Sequence, residues 1–164
     1  MRKLPVRDPM AARGRKLAAA RRVGVGAQCA CGEDRPEALL RGRTLIICAA
    51  CDRKLQGYTV MDGHHVAGEA NSTVKISIPV NDHIAVLSPA QDDWPKLTRQ
   101  NPDASPLLAR AACIRGFADT VVYLVEKLLL PVAEMLEVLD AFLVEKCGPR
   151  YWVKTKLERF RPQR

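Results

Sequence analysis

Apolar and other side chains alternate in one short segment of this chain, and the alternation predicts a β-strand. In 74–80 every second residue is apolar, which places four side chains on one face: Val74, Ile76, Ile78 and Val80. Pro79 lacks a backbone donor and indicates an edge position or the end of the strand. An earlier run, 58–66, predicts another strand with a possible bend at Asp62-Gly63.

A different spacing, typical of an α-helix, begins near residue 105. Its apolar residues lie alternately four and three positions apart, as in a heptad seam: Ile114, Ala118, Val121, Val125, Leu128, Val132, Met135, Leu139 and Phe142. Pro131 lies inside the seam and removes one backbone hydrogen bond, so we expect a kink or a break there. Gly148-Pro149 ends the helical part. The seam at 114–142 fits an intramolecular hairpin or a homodimer, and one sequence does not distinguish the two.

These patterns divide the 164 residues into a flexible basic arm, a small domain, a helical packing or dimerisation segment and a basic tail: 1–22, 23–100, 105–147 and 148–164. Within the arm, 10–22 has the composition to become helical on a partner. Asn81 or Asp82 is expected to cap a short helix after the alternating strand. Four prolines between 88 and 106 indicate a loop with one or two helical turns.

Positive charge is concentrated at both ends of the chain. The formal net charge is +8, residues 1–22 hold eight basic side chains against Asp8 alone, and 150–164 hold six against Glu158. Cationic ends suit a polyanion such as DNA or RNA, because each neutralised phosphate releases counterions. The candidate contacts are Arg13, Arg15, Lys16, Arg21, Arg22, Lys154 and Lys156. The alternative is that the basic ends only confer solubility.

Other features of the sequence bear on its compartment. The basic start is not followed by an apolar run of the length that a secretory signal requires. The most apolar stretch, 121–144, is interrupted by five charged residues, so no membrane span is expected. We therefore expect a cytoplasmic protein, and in a reducing compartment six cysteines are better explained by metal binding than by disulfides.

Four of the cysteines form two close pairs. Cys29 and Cys31 have one residue between them, Cys48 and Cys51 have two, and sixteen residues separate the pairs. Each pair can sit on a tight turn, and two converging turns surround one ion with four thiolates, as tetrahedral zinc requires. Such a site is closed, so this zinc would stabilise the fold and take no part in chemistry. The alternative is a set of ordinary buried or free cysteines.

All three histidines lie within twenty residues of one another, at positions 64, 65 and 83. Adjacent strand residues point to opposite sides, so His64 and His65 are expected to have different tasks. A strand that folds back can return His83 to this pair, with Asn81 two residues earlier. Two imidazoles can hold a divalent ion beside a phosphate, and a third can accept a proton from water. The alternative is three surface histidines that share no site.

In these residues the chain resembles the HNH endonucleases. The resemblance covers about residues 28–87 and rests on four runs: Cys48-Ala49-Ala50-Cys51, Asp62-Gly63-His64-His65-Val66-Ala67-Gly68, Asn71-Ser72 and Ile78-Pro79-Val80-Asn81-Asp82-His83. It implies an α+β fold with a ββα-metal core, in which two antiparallel strands and a helix surround one divalent ion. Here a zinc ion bound by the four cysteines would stabilise that core. A C-terminal α-helical hairpin or a long kinked helix would follow it in the chain.

The resemblance also implies a role for each residue of the site. His65 matches the general base that activates water, and His64 and His83 match the ligands of a catalytic Mg²⁺ or Mn²⁺ ion. Asn81 matches the asparagine that holds the base in place. The implied activity is hydrolysis of phosphodiester bonds in DNA, with RNA as the second choice of substrate.

At two positions the chain departs from the family pattern. Asp82 stands where many members have a cysteine before the last histidine, and Glu69 stands where a basic residue is expected. These departures favour a second hypothesis, in which the protein is a zinc-stabilised nucleic-acid-binding or adaptor module with weak or no catalysis. In a third hypothesis the protein is a dimeric scaffold that acts through the helical seam.

Overall fold

A computed structural model describes residues 9–41 and 45–161, and the chain divides into two compact units between Tyr123 and Leu124. The first unit begins with helix α1 (Pro9–Val23). The stretch 10–22, expected to belong to a flexible arm that becomes helical on a partner, is therefore helical in the single chain. The cysteine-bearing segment follows, and within it Leu39 and Cys48 form an isolated antiparallel bridge. Helix α2 (Ala49–Leu55) then begins directly after Cys48.

Two antiparallel strands form the only sheet within the described residues. Strand β1 (Met61–His65) pairs with strand β2 (Lys75–Pro79), and the register places His64 opposite Ile76 and Asp62 opposite Ile78. The strands predicted from the sequence are therefore present. Every second residue of a strand faces the same side, so Asp62 and His64 share one face of the hairpin.

The chain turns directly from β2 into helical structure. Helix α3 (Val80–Asp82), a π-helical segment (His83–Leu87) and helix α4 (Ser88–Asp92) follow one another. The expectation that Asn81 or Asp82 caps this helix is wrong, because both residues lie inside α3, whose start has no side-chain cap. The side chains of both residues instead bind groups that lie far away in the sequence.

Two further helices complete the first unit. The proline-rich stretch contains α4 and a second short helix, α5 (Lys96–Gln100), and helix α6 (Pro106–Leu124) follows. Helix α6 approaches the end of β1 closely at Gly116, where the Cβ atom of any larger residue would lie 1.6 Å from the carbonyl oxygen of Val66. Trp94 packs beside this contact and donates a hydrogen bond of 2.9 Å to Asp119.

Three small apolar clusters make up the core of the first unit. One cluster surrounds two of the cysteines, one lies beneath the Gly116 contact, and one lies below the hairpin: Cys29, Leu39 and Cys48; Ala67, Trp94 and Ala112; Ile78, Leu87 and Tyr123. Large aromatic side chains contribute little, because only 5% of the chain is aromatic. Hydrogen bonds and ion pairs that join the clusters therefore contribute to the stability of the first unit.

The second unit is also helical. A π-helical segment (Val125–Leu129) precedes helix α7 (Leu130–Cys147), which ends at Gly148 with φ of 88°. Pro131 lies in the first turn of α7, and the interruption expected there takes the form of the wide π-helical turn just before it. A 3-10 helix (Lys156–Phe160) follows.

The fold is therefore α+β, with one small hairpin and mostly helical structure around it. All residues from Pro106 to Cys147 have helical backbone, which corresponds to the long helix and not to the hairpin among the alternatives that the sequence left open. Within 9–41 and 45–161, no helix combines the length and the apolar character needed to cross a bilayer.

Candidate active site and metal centre

The four paired cysteines meet at one point of the first unit. All their sulfur atoms lie within 4.8 Å of one another, and the Sγ atoms of Cys31 and Cys48 are 3.6 Å apart. A tetrahedral zinc ion with Zn–S bonds of about 2.3 Å needs sulfur atoms about 3.8 Å apart. The predicted convergence of the two pairs is confirmed, and the site has the dimensions of a metal centre.

Local backbone structure places each cysteine pair. The first pair lies on a tight turn, in which the Gly32 N–H donates to the Cys29 carbonyl at 2.9 Å and Gly32 has φ of 94°. A left-handed φ of this kind favours glycine. In the second pair Cys48 caps α2, and its Sγ accepts a hydrogen bond from the Cys51 N–H. These local contacts orient the two sulfur pairs towards one another.

The thiols of this cluster differ in acidity. A hydrogen bond from the backbone N–H of Cys31 lowers the pKa of the Cys29 thiol to about 7. The neighbouring thiol of Cys31, by contrast, raises the pKa of Cys51 to about 12. Four thiolates in one place repel each other, so a bound cation is needed to ionise them all, and binding it releases protons.

Two of the three histidines come together next to the sheet. The rings of His64 and His83 stand edge to face, and their centroids are 5.2 Å apart. The hairpin produces this arrangement, because β2 returns the chain alongside β1 and the π-helical segment starts at His83. His64 and His83 thus lie as close together as the sequence predicted.

His64 is the most enclosed of the three, with only 1% of its surface exposed. Burial, and then the imidazoles of His83 and His65, lower the pKa of His64 to about 4. The ring is therefore uncharged near neutral pH, the form in which histidine binds metals. Its Nε2 lies 3.2 Å from the amide nitrogen of Gln91, which also donates to the His65 carbonyl. A metal ion on His64 would replace the Gln91 contact or bind Nδ1.

His83 is bound by the carboxylate of Asp62, a residue for which the sequence predicted only a possible bend in the chain. Its Nδ1 lies 2.7 Å from Oδ2 of Asp62, and the Arg53 guanidinium lies 3.4 Å from the same oxygen. The contact with His83, more than that with Arg53, lowers the pKa of the Asp62 carboxyl group. Because an ionised carboxylate only accepts, Nδ1–H is the donor, and in the neutral ring the lone pair that could bind a metal ion is on Nε2. In the sequence, Asp62 lies two positions before His64 within a predicted strand, so the two side chains face the same side. This spacing is the signal that could have identified Asp62 as a site residue.

His65 points away from His64, as adjacent strand residues do. Its Nδ1 lies 3.0 Å from the carbonyl oxygen of Ser72. Since a carbonyl oxygen only accepts, Nδ1–H is the donor, and in the neutral ring Nε2 is the nitrogen that can take up a proton. His65 is half-buried, so its ring is oriented by the protein while one side remains accessible.

Asn81 does not perform the contact predicted for it. Its Oδ1 accepts from the Ala50 N–H and its Nδ2 donates to Glu33, both at 2.9 Å. The prediction that this amide orients the His65 ring is wrong, because the buried side chain faces the cysteine-bearing segment and the Ser72 carbonyl takes that task. Asn81 instead joins the metal centre to the helical turn that carries His83.

Asp82, one of the departures from the family pattern, belongs to a second link between the same regions. Arg35 forms two hydrogen bonds of 2.7 Å with Glu33 and one of 2.6 Å with Asp82, which also accepts from the Tyr123 hydroxyl at 2.9 Å. The Arg35 guanidinium lowers the pKa of Glu33 to about 2. The ion pair between Arg35 and Asp82 therefore connects the cysteine lobe, which is the segment from Cys29 through α2, with α3 at the position where a cysteine was expected.

The basic side chains predicted to contact nucleic acid fall into two groups. Arg15 forms a 2.6 Å ion pair with Asp93, and Arg22 donates to the carbonyl groups of Pro36 and Leu39, so both attach α1 to the first unit. The remaining candidates are exposed: Arg13, Lys16 and Arg21 on α1, and Lys154 and Lys156 in the second unit. Glu69 is exposed as well.

Comparisons of the chain with protein-family models, with curated proteins and with solved structures find no match. The resemblance to HNH endonucleases therefore rests on the motif residues themselves and on the arrangement of cysteines and histidines described above.

Proposed function

We propose that this protein is a metal-dependent endonuclease of the HNH kind that hydrolyses phosphodiester bonds in DNA. The observation that carries the proposal is the placement of two imidazoles, those of His64 and His83, with ring centroids 5.2 Å apart. The base candidate, His65, directly follows His64 on β1. A separate zinc ion, held by the four cysteines, would stabilise the fold.

The ligand set suits one divalent ion with open coordination positions. Within the described residues, the cysteines are the only group of three or more metal-binding side chains whose ligand atoms all lie within 4.8 Å. His64 and His83 would therefore supply two ligands, and water and phosphate oxygens would supply the others. Such an ion, usually Mg²⁺ or Mn²⁺, stabilises negative charge on the phosphate and on the leaving oxygen. Imidazole ligands also suit Ni²⁺ and Zn²⁺, so these ions belong in any assay.

His65 would accept the proton of the attacking water. Its Nε2 is free for this task because Nδ1–H is engaged with Ser72. When Nε2 takes up the proton, the ring becomes a cation, and the Ser72 carbonyl oxygen stabilises that cation through the existing hydrogen bond. The carbonyl also prevents the ring from turning, so Nε2 keeps its direction during the reaction.

Nucleic acid is the substrate class that the charge distribution favours. The net charge is +8, and Arg13, Lys16 and Arg21 remain exposed on α1 after Arg15 and Arg22 have attached that helix to the unit. Each contact between such a cation and a phosphate releases counterions, so binding would weaken steeply with added salt.

A second candidate function is a zinc-stabilised nucleic-acid-binding or adaptor protein without catalysis. The contact between Gln91 and Nε2 of His64 favours it, because this contact uses a nitrogen that a metal ion would need. The 2.6 Å ion pair between Asp82 and Arg35 also links the lobe to α3 through protein groups alone.

Cleavage of supercoiled plasmid tests the proposal. Purified protein should convert the plasmid to the nicked form when Mn²⁺, Mg²⁺ or Ni²⁺ is added. The His65→Ala variant, purified in the same way, should cut at least about 100-fold more slowly. Zinc content and melting temperature should not change in the variant, which excludes a folding effect. Protein that carries zinc and binds DNA or RNA, but cuts neither with any of these ions, would support the adaptor function instead.

A further inference from the structure

Helix α7 and the π-helical segment before it expose an unusual amount of apolar surface. No residue of α7 is buried. Ten large apolar side chains between positions 125 and 142 expose between 37% and 70% of their surface: Val125, Leu128, Leu129, Leu130, Val132, Met135, Leu136, Val138, Leu139 and Phe142. Contiguous apolar patches of this extent are rare on monomeric proteins and mark interaction surfaces.

Most of these apolar side chains follow the heptad spacing of the sequence, which corresponds to one side of a helix. Val125, Leu128, Val132, Met135, Leu139 and Phe142 follow the heptad seam, and Leu129 and Leu136 flank it. We call this set of eight residues the seam face. The charged residues between positions 125 and 142 lie outside it: Glu126, Lys127, Glu134, Glu137 and Asp140. Two seam faces in contact would therefore bring no opposing carboxylates together.

The partner that binds the seam face must present apolar side chains that fit heptad spacing. The residues that the structure does not describe, 1–8, 42–44 and 162–164, are few, and the longest of these stretches has only Met1, Leu4 and Val6 as large apolar residues. A second copy of the chain carries a complementary seam of the same period. If each side chain of the seam face loses roughly 60 to 100 Å² of surface, two copies bury about 1,000 to 1,600 Å², the size of a stable interface.

We infer that the seam face binds the seam face of a second copy of this chain, so that the protein assembles as a homodimer through its second unit. The inference does not depend on the proposed nuclease activity, because no residue of the seam face belongs to the metal centre or to the histidine site. It also accounts for a helix whose apolar side chains have no buried core of their own in the second unit.

Sedimentation velocity on the full-length protein, at roughly 1 to 100 μM, tests the inference. The test variant carries Met135→Glu and Leu139→Glu on the seam face. The matched control carries Ala133→Glu and Ala141→Glu, which add the same two charges to exposed positions of α7 outside the seam face. The wild type and the control should be dimers, and the seam variant should dissociate at least about 100-fold more readily, because two buried charges would have no partners.

Three results would overturn the inference. They are a wild type that is monomeric over the whole range, a seam variant that stays dimeric, and a control that dissociates as readily as the seam variant. If the glutamates melt α7, as circular dichroism would show, the milder Leu139→Ala variant decides. This variant should keep its helix content, and the dissociation constant of its dimer should rise at least about tenfold. A monomeric wild type would mean that the seam face packs within its own chain or on another protein.

Discussion

Asp62 provides the sharpest test of how the histidine site is organised. Its carboxylate lies 2.7 Å from Nδ1 of His83, which directs the Nε2 lone pair of that ring to the place where a metal ion would bind. Metal-binding histidines commonly donate their second N–H to a carboxylate, and removal of that carboxylate lowers metal affinity about 10- to 100-fold. Asp62→Ala should therefore raise the Mn²⁺ concentration for half-maximal binding by a factor of this order.

The choice of variants separates the charge of Asp62 from its shape. Asp62→Asn keeps an oxygen that can accept from Nδ1–H but has no negative charge, so its effect should be smaller than that of Asp62→Ala. Asp103→Asn, at an exposed residue between α5 and α6, serves as the matched control and should leave Mn²⁺ binding unchanged. Because Asp62 does not touch the four cysteines, all variants should keep their zinc.

Two measurements make the outcome clear. Mn²⁺ binding is followed by electron paramagnetic resonance on zinc-loaded protein, and the tautomer of His83 is read from nitrogen chemical shifts without any added Mn²⁺. The wild type should show the Nδ1–H form, and Asp62→Ala should show a mixture. If Mn²⁺ affinity and the tautomer are both the same in wild type and Asp62→Ala, the reasoning about Asp62 is refuted. A tautomer change in Asp62→Ala, together with a wild type that binds no Mn²⁺, would support the role of Asp62 in orienting His83 and exclude Mn²⁺ as the ion of this site.

Two further predictions concern the scaffold. Gly116→Ala should destabilise the first unit by about 3 kcal/mol or more in chemical denaturation, since its Cβ would lie 1.6 Å from the Val66 carbonyl oxygen. Gly14→Ala on α1, whose Cβ would meet no atom within 4 Å, should instead stabilise by roughly 0.4 to 1 kcal/mol, and equal effects would contradict the close approach of α6. Cys48→Ser should release the zinc and unfold the cysteine lobe, whereas Cys147→Ser, at an exposed cysteine outside the cluster, should change neither zinc content nor melting.

Much of the fold follows from patterns that are local in sequence. Alternation at 74–80 predicts β2, heptad spacing predicts the helical region that ends at Cys147, and the spacing of the cysteine pairs predicts their convergence. Each pattern reports a period or a turn that a few neighbouring residues determine. The proximity of His64 and His83 was predictable for the same reason, because a hairpin is the shortest route by which a chain returns to its starting point.

The polar contacts of the site were not predictable in the same way. Arg35 and Asp82 are 47 positions apart, and only the finished fold brings such partners together. No local period specifies which of many arginines meets a given carboxylate. Arg15 and Arg22 illustrate this limit, since they looked like nucleic-acid contacts by charge but attach α1 to Asp93 and to backbone carbonyls.

Three consecutive residues, Asn81, Asp82 and His83, link the cysteine lobe to the histidine site, so the lobe would matter to the proposed reaction although it takes no direct part in it. Asn81 binds Ala50 and Glu33, and Asp82 binds Arg35, so two of the three attach to the lobe that a metal ion would organise. The third, His83, contacts Asp62 on the hairpin. The backbone between Asp82 and His83 is too short to absorb a shift of the lobe, so a displacement there must reach the imidazole. Loss of the cysteine-bound metal should therefore abolish cleavage through the position of His83, although the two sites share no ligand.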